Sequence, residues 1–182
     1  MNELGTGTKA RLSRRMALGM AVGAMGLATP AIARAFALPV APRTDHIVVS
    51  KSLRVLELRE KGEVVKRFRI ALGFTPEGKK TASGDGRTPE GLYWIDRRNP
   101  RSEYFLSIGI SYPNADDVAR ARALGRSPGG DIFIHGQPMR PREIRAAKGK
   151  KDWTAGCIAV ANEEIEEIWA MTPLGTPITI LA

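Results

Sequence analysis

One cysteine, Cys157, and two histidines, His46 and His135, are all that the 182 residues contain of those types. A single thiol excludes an intrachain disulfide, and so few nitrogen and sulfur ligands leave little for a transition-metal site. Aromatic residues are scarce too, at 6%. With no aromatic-rich basic sheet, zinc finger or recognition-helix pattern, nothing points to nucleic acid as a partner. Long apolar runs are also missing. The one apolar stretch, Met16 to Ala28, falls short of the roughly 20 residues that a spanning helix needs, which excludes a polytopic membrane protein. What is present is ordinary: 43% hydrophobic and 26% charged residues, the range of a globular chain with one domain and one core.

Charge is lopsided, with 28 Lys and Arg against 19 Asp and Glu, a formal +9. Part of it sits at the N-terminus. Ser13-Arg14-Arg15 precedes the weakly apolar, Gly- and Ala-rich run, Pro30 ends that run, and Ala31-Ile32-Ala33, Ala33-Arg34-Ala35 and Ala35-Phe36-Ala37 follow. A basic start, a short apolar middle and a small-x-small exit define an export signal, and the paired arginines make it twin-arginine-like. Residues 1–37 are therefore expected to be removed. The mature domain, 38–182, then keeps 23 basic and 18 acidic residues, a charge of +5. That balance suits an anionic surface such as a cell wall. The expected location is the periplasm or wall, with no stable membrane span after cleavage and a monomer by default.

Short strands dominate the rest. Residues 46–50, 53–58 and 64–73 are rich in Val, Ile, Leu and Phe, separated by Lys51-Ser52 and by Glu60-Lys61-Gly62. Phe68, Ile70 and Leu72 alternate with Arg67, Arg69 and Ala71, the period of a half-buried strand. Leu92–Asp96, Tyr104–Ser111, Asp131–Ile134 and Pro177–Leu181 read as further strands. Two helices are expected. One is capped by Asn114, with Asp116 and Asp117 in its first turn and Gly125 at its end. The other runs from Asn162 to about Thr172, with Ile165, Ile168 and Trp169 on one face and Pro173 as its stop. The fold class is mainly β, a sandwich or barrel-like domain with two short helices.

The chemistry gathers between residues 131 and 160. A strand ends in His135-Gly136, and Thr154-Ala155-Gly156-Cys157-Ile158 follows. A free thiol, with a pKa of about 8.5, is only slightly ionised at neutral pH and needs a base beside it to become a nucleophile. His135 is the candidate base. Gly156 lets the chain turn sharply and leaves backbone N–H groups for a developing oxyanion. A lone cysteine is more often a small buried hydrophobe, but an unpaired thiol on an exported chain calls for a reason.

Ile134-His135-Gly136 followed by Thr154-Ala155-Gly156-Cys157-Ile158 resembles the signature of the L,D-transpeptidase (YkuD-type) catalytic domain. Thr88-Pro89-Glu90-Gly91 is similar to a segment of that family, and the resemblance runs over roughly residues 45–181. It implies that Cys157 is the acylated nucleophile and His135 the base, with Gly156 and Cys157 offering oxyanion donors and Thr154 shaping the turn. It also implies a backbone carbonyl that orients the histidine, at a place the sequence does not reveal. The implied substrate is the peptidoglycan stem peptide, attacked at its third residue with release of D-Ala. The acyl group then passes to a stem amine, to a wall-attached protein, or to water. A hydrolase of the same fold and a non-catalytic wall-binding domain are the alternatives. No metal or organic cofactor is implied. Two departures matter: Ala155 stands where the family often has a polar residue, and Ala159 where it often has arginine. Arg140, Arg142 and Arg145 are candidates to bind a substrate carboxylate instead, and the same insert also reads as a solvated basic loop. Gly136 and Trp153 are further substrate-binding candidates. Residues 112–130 resemble the family's active-site lid, and their helix reads equally as a packing element.

Overall fold

The structure, a computed structural model, describes residues 43–182. The export signal expected over 1–37 lies outside the described residues. Within them, no helix is long and apolar enough to cross a membrane.

Eight strands form one mixed sheet. They are β1 (His46–Ser50), β2 (Val55–Glu60), β3 (Glu63–Arg69), β4 (Gly91–Ser102), β5 (Phe105–Ile110), β6 (Phe133–His135), β7 (Ile158–Ala159) and β8 (Pro177–Leu181), in the spatial order β3-β2-β1-β8-β4-β5-β6-β7. β1 and β8 run parallel, as do β6 and β7, while the other neighbours are antiparallel. The sheet is not closed, so the mainly β expectation resolves into one open layer rather than a complete barrel.

Period-two patterning sets the register. Ile47 lies opposite Leu58 on one side and Ile178 on the other, and Val49 lies opposite Leu56 and Ile180. All six are buried. A slip of one residue would turn the whole set toward water. Tyr93, opposite Ile178, extends the row into β4.

Two segments depart from the sequence reading for local reasons. β2 begins at Val55 because Arg54 takes a positive φ of 52°. The stretch read as one strand over 64–73 ends its ladder with β2 at Arg69, although Phe68, Ile70 and Leu72 stay buried in alternation. Beyond it, Ala71 pairs with Ala159 and Gly73 with Thr154. That segment thus crosses from one half of the sheet to the residues around Cys157.

Helix α1 (Ala115–Ala123) carries the expected Asn114–Asp117 capping box. Asp117 is buried and accepts from the Tyr93 hydroxyl at 2.8 Å, which makes this helix a packing element. α3 (Asn162–Met171) buries Ile165 and Ile168, and Glu164 reaches back to the Ala161 N–H at 2.8 Å. The sequence reading missed α2 (Pro141–Ala147), which lies in the insert after the histidine strand and has no buried residue. His46 bonds Thr179 Oγ1 at 2.9 Å through Nε2.

Candidate active site

Parallel pairing of β6 with β7 sets Ile134 opposite Ile158 and His135 opposite Ala159. Cys157 immediately precedes β7, so residues 22 apart in sequence end on the same rim. His135 and Cys157 line two cavities together with Tyr104. The first, about 220 Å³, is completed by Glu143, Ala146, Ala147, Trp153, Thr154 and Ala155. The second, about 260 Å³, takes in Asn99, Ser102, Glu103, Ser107, Asp131 and Phe133.

The imidazole is buried and fixed. Its Nδ1 lies 2.7 Å from the Gly136 carbonyl oxygen. A carbonyl only accepts, so Nδ1 carries the proton and Nε2 keeps its lone pair. Tyr104 lies against one side, ring centroids 4.5 Å apart, and Trp153 presents an edge at 5.7 Å. Burial lowers the His135 pKa to about 4, against a smaller opposing effect of the Gly136 carbonyl. The Cys157 thiol, half-buried, donates to the Asp131 carbonyl at 3.5 Å. Burial raises its pKa, with a backbone bond at Phe133 and the Lys80 ammonium acting the other way. Both shifts favour a neutral thiol beside a neutral imidazole in the resting protein.

The loop before Cys157 is built by Thr154 and Gly156. Thr154 Oγ1 donates to the Cys157 carbonyl at 2.7 Å and accepts from the Gly156 N–H at 3.1 Å. Gly156 has φ +133°, and a Cβ there would meet the Arg87 carbonyl oxygen at 2.7 Å. Only glycine fits both demands. Its N–H is already engaged, whereas the Cys157 N–H forms no hydrogen bond with the described residues. From below, Thr154 N donates to Leu72 O at 3.1 Å and Phe74 N to Thr154 O at 2.9 Å.

A second loop supports this one. Asp85 accepts from the N–H groups of Thr81, Ala82 and Arg87 and from Lys80 Nζ. Burial pushes its carboxyl up, but the Lys80 ammonium and the three N–H groups pull it further down, to about 2. The Arg87 carbonyl that crowds Gly156 comes from this loop.

The other sequence candidates fall elsewhere. Arg140 is exposed and paired with Glu103 across the start of α2. Arg142 and Arg145 are exposed, and none of the three lines either cavity. Gly136 is buried behind the ring, where a Cβ would strike Asn162 Oδ1 at 2.6 Å, and its carbonyl is what holds His135. Trp153 does wall the first cavity. Tyr104 and Glu143 went unnoticed in the sequence, since neither belongs to a local motif. Among the described residues no group of three or more His, Cys, Asp or Glu is placed to hold a metal ion.

Residues 44–180 match the YkuD family, the L,D-transpeptidase catalytic domain. Over 130 residues the chain is 30% identical to "Putative L,D-transpeptidase YafK" of Escherichia coli K12, covering 68% of this chain and 45% of that protein. The helical cell shape determining protein Pgp2 of Campylobacter jejuni has a similar fold (TM-score 0.57, 25% identity, 77% of this chain and 48% of that one). So does Bd1075 of Bdellovibrio bacteriovorus (TM-score 0.51, 25% identity, 78% and 49%). The chain spans about half the length of these relatives. With the match running over residues 44–180, which include both walls of the Cys157 cavities, the chain belongs to the YkuD family of L,D-transpeptidase catalytic domains.

Proposed function

We propose that the chain is a cysteine acyltransferase acting on peptidoglycan stem peptides. The observation that carries this reading is the position of Cys157 and His135 where two cavities share a border. One cavity can hold an acyl donor while the other admits the acceptor. Turning about Cα–Cβ brings Sγ from the Asp131 carbonyl toward the imidazole. Nε2 takes the thiol proton as sulfur attacks the carbonyl of the third stem residue. The Cys157 N–H is the free donor for the oxyanion, because the Gly156 N–H is held by Thr154. Collapse breaks the peptide bond, and the imidazolium returns its proton to the departing D-Ala amine. Attack on the thioester by an amine gives a crosslink or a protein attachment, and attack by water gives hydrolysis.

Since the thiol and imidazole rest uncharged, His135 acts as a base during attack rather than holding a preformed thiolate. Folded protein should therefore react with iodoacetamide at neutral pH no faster than a free thiol peptide. The leader and the basic mature surface support export to the periplasm or wall, which cell fractionation with and without Arg14→Lys and Arg15→Lys would test.

The direct experiment incubates residues 38–182 with disaccharide-tetrapeptide and follows protein mass and products. An adduct that requires Cys157, followed by crosslinked dimer, is the expected result. Cys157→Ala and His135→Ala should each abolish it without unfolding the domain. Tripeptide without dimer would assign a hydrolase. Turnover that survives Cys157→Ala would overturn the nucleophile, and a wall-binding role would require binding unaffected by that change.

A further inference from the structure

One charged group on the wall of the first cavity lacks a counterpart. Glu143 lines that cavity beside Cys157, His135, Tyr104 and Trp153, and its Oε2 is buried with no hydrogen-bond partner among the described residues. Glu143 as a residue is half-buried, and a carboxylate oxygen shut off from water without a donor is unfavourable. The basic residues of the same segment do not pair with it: Arg140 is paired with Glu103, and Arg142 and Arg145 are exposed. The remaining lining fits a cation on an alkyl stem. Tyr104 and Trp153, ring centroids 6.1 Å apart, offer π-faces that attract ammonium, and Ala146 and Ala147 supply small apolar walls. The Tyr104 phenol is raised by burial first and then by the charge of Glu143, which agrees with the carboxylate lying close to it.

We propose that Glu143 receives the primary ammonium of an alkylamine side chain, the kind a diamino acid in a stem peptide carries, and thereby selects the peptide presented to Cys157. This rests on the stem-peptide reading given above. The ammonium satisfies Oε2, its methylenes lie along Ala146, Ala147 and Trp153, and its carbonyl reaches the thiol. Glu143 is thus a specificity residue and takes no part in proton transfer at the reacting atoms. The ammonium therefore belongs to the acyl donor, because an acceptor amine must be unprotonated to attack the thioester.

The test compares stem tetrapeptides whose diamino acid carries a free or an N-acetylated side-chain amine. Read as acylation of Cys157, before any acceptor is needed, the wild type should prefer the free amine, and Glu143→Gln should remove that preference by lowering the acylation kcat/KM for the free-amine peptide about tenfold or more, mainly through KM. Glu143→Asp should restore part of it, and the unfolding midpoint of Glu143→Gln should be unchanged or higher. Slower adduct formation at Cys157 would place the ammonium on the donor. Unchanged adduct formation in Glu143→Gln would overturn the proposal. A Glu143→Gln protein that keeps the full preference overturns the proposal. If the wild type is silent on both peptides, protection of Cys157 from iodoacetamide by 1,5-diaminopentane, against 1,5-pentanediol, decides separately. Protection by the diamine that disappears in Glu143→Gln upholds the ammonium site while the stem-peptide reading falls. No difference between diamine and diol removes the site as well.

Discussion

Two walls of the Cys157 cavity are built to different standards. The loop Thr154–Cys157 is stitched to its surroundings by backbone bonds to Leu72 and Phe74, by both bonds of Thr154 Oγ1, and by close approach to Arg87. Helix α2 buries none of its residues. It is tied at its start by the Met139 N–H to the Glu103 carbonyl at 3.1 Å and by the exposed Arg140–Glu103 pair. Chemistry needs its reacting atoms held to a fraction of an ångström, and the loop before Cys157 has the bonds to do so. A wall that only recognises a substrate group tolerates looser attachment and more sequence change.

The sharpest way to break this contrast is Gly156→Ala. The positive φ and the clash with the Arg87 carbonyl should cost about 1–3 kcal/mol and lower turnover by about 100-fold or more through displacement of Cys157. Chemical denaturation and initial rates check both. Thr154→Val keeps the shape but strands the Gly156 N–H and the Cys157 carbonyl, a loss of about 1–3 kcal/mol, read from the same denaturation curve.

Acid should separate the site from its scaffold. His135 must be neutral to act, so the acid limb of kcat/KM should fall through pH about 4, the lowered value that burial imposes. A lowered histidine also makes stability present above about pH 6.5 decline as pH drops toward 4, because the unfolded chain then binds a proton that the fold refuses. Asp85, held at about 2, contributes stability above its ordinary value of 3.8 that is lost as pH falls through 2. Asp85→Asn should therefore flatten the stability curve between pH 4 and 2 while leaving the acid limb of activity near pH 4. The smallest effect belongs to the loose wall: Arg140→Ala removes a solvent-exposed pair and should shift stability by less than about 1 kcal/mol, with any kinetic change appearing in KM.

Much of this was written locally. The Asn114 cap, the Lys61-Gly62 turn and the Ile165–Ile168 face are properties of short windows, because they follow from side-chain bonds to nearby backbone and from the helical period. His135, Thr154, Gly156 and Cys157 stood out because they fall in two short motifs that resemble a family's, and the structure sets His135, Thr154 and Cys157 around one cavity. Helix α2 did leave a signal, Pro141 at its first turn, but the basic residues around it also fit a solvated loop. Tyr104, Glu143, Asp85 and the Gly136 carbonyl left none that a reader of the chain could use. Tyr104 lies 31 positions before His135, and a backbone carbonyl has no residue type.

By itself, then, the sequence determined which residues alternate, where α1 and α3 begin, and which thiol and imidazole lie in the family's motifs. Those depend on dihedral preference and on side-chain chemistry, both carried by a few neighbouring residues. The tertiary structure alone decided that β6 and β7 lie parallel, with His135 opposite Ala159, that the 71–73 segment crosses the sheet to pair with Ala159 and Thr154, and that a carboxylate on α2 lines the same cavity as Cys157. Each joins stretches far apart in the chain, and only packing of the whole core selects among the pairings that local preference leaves open.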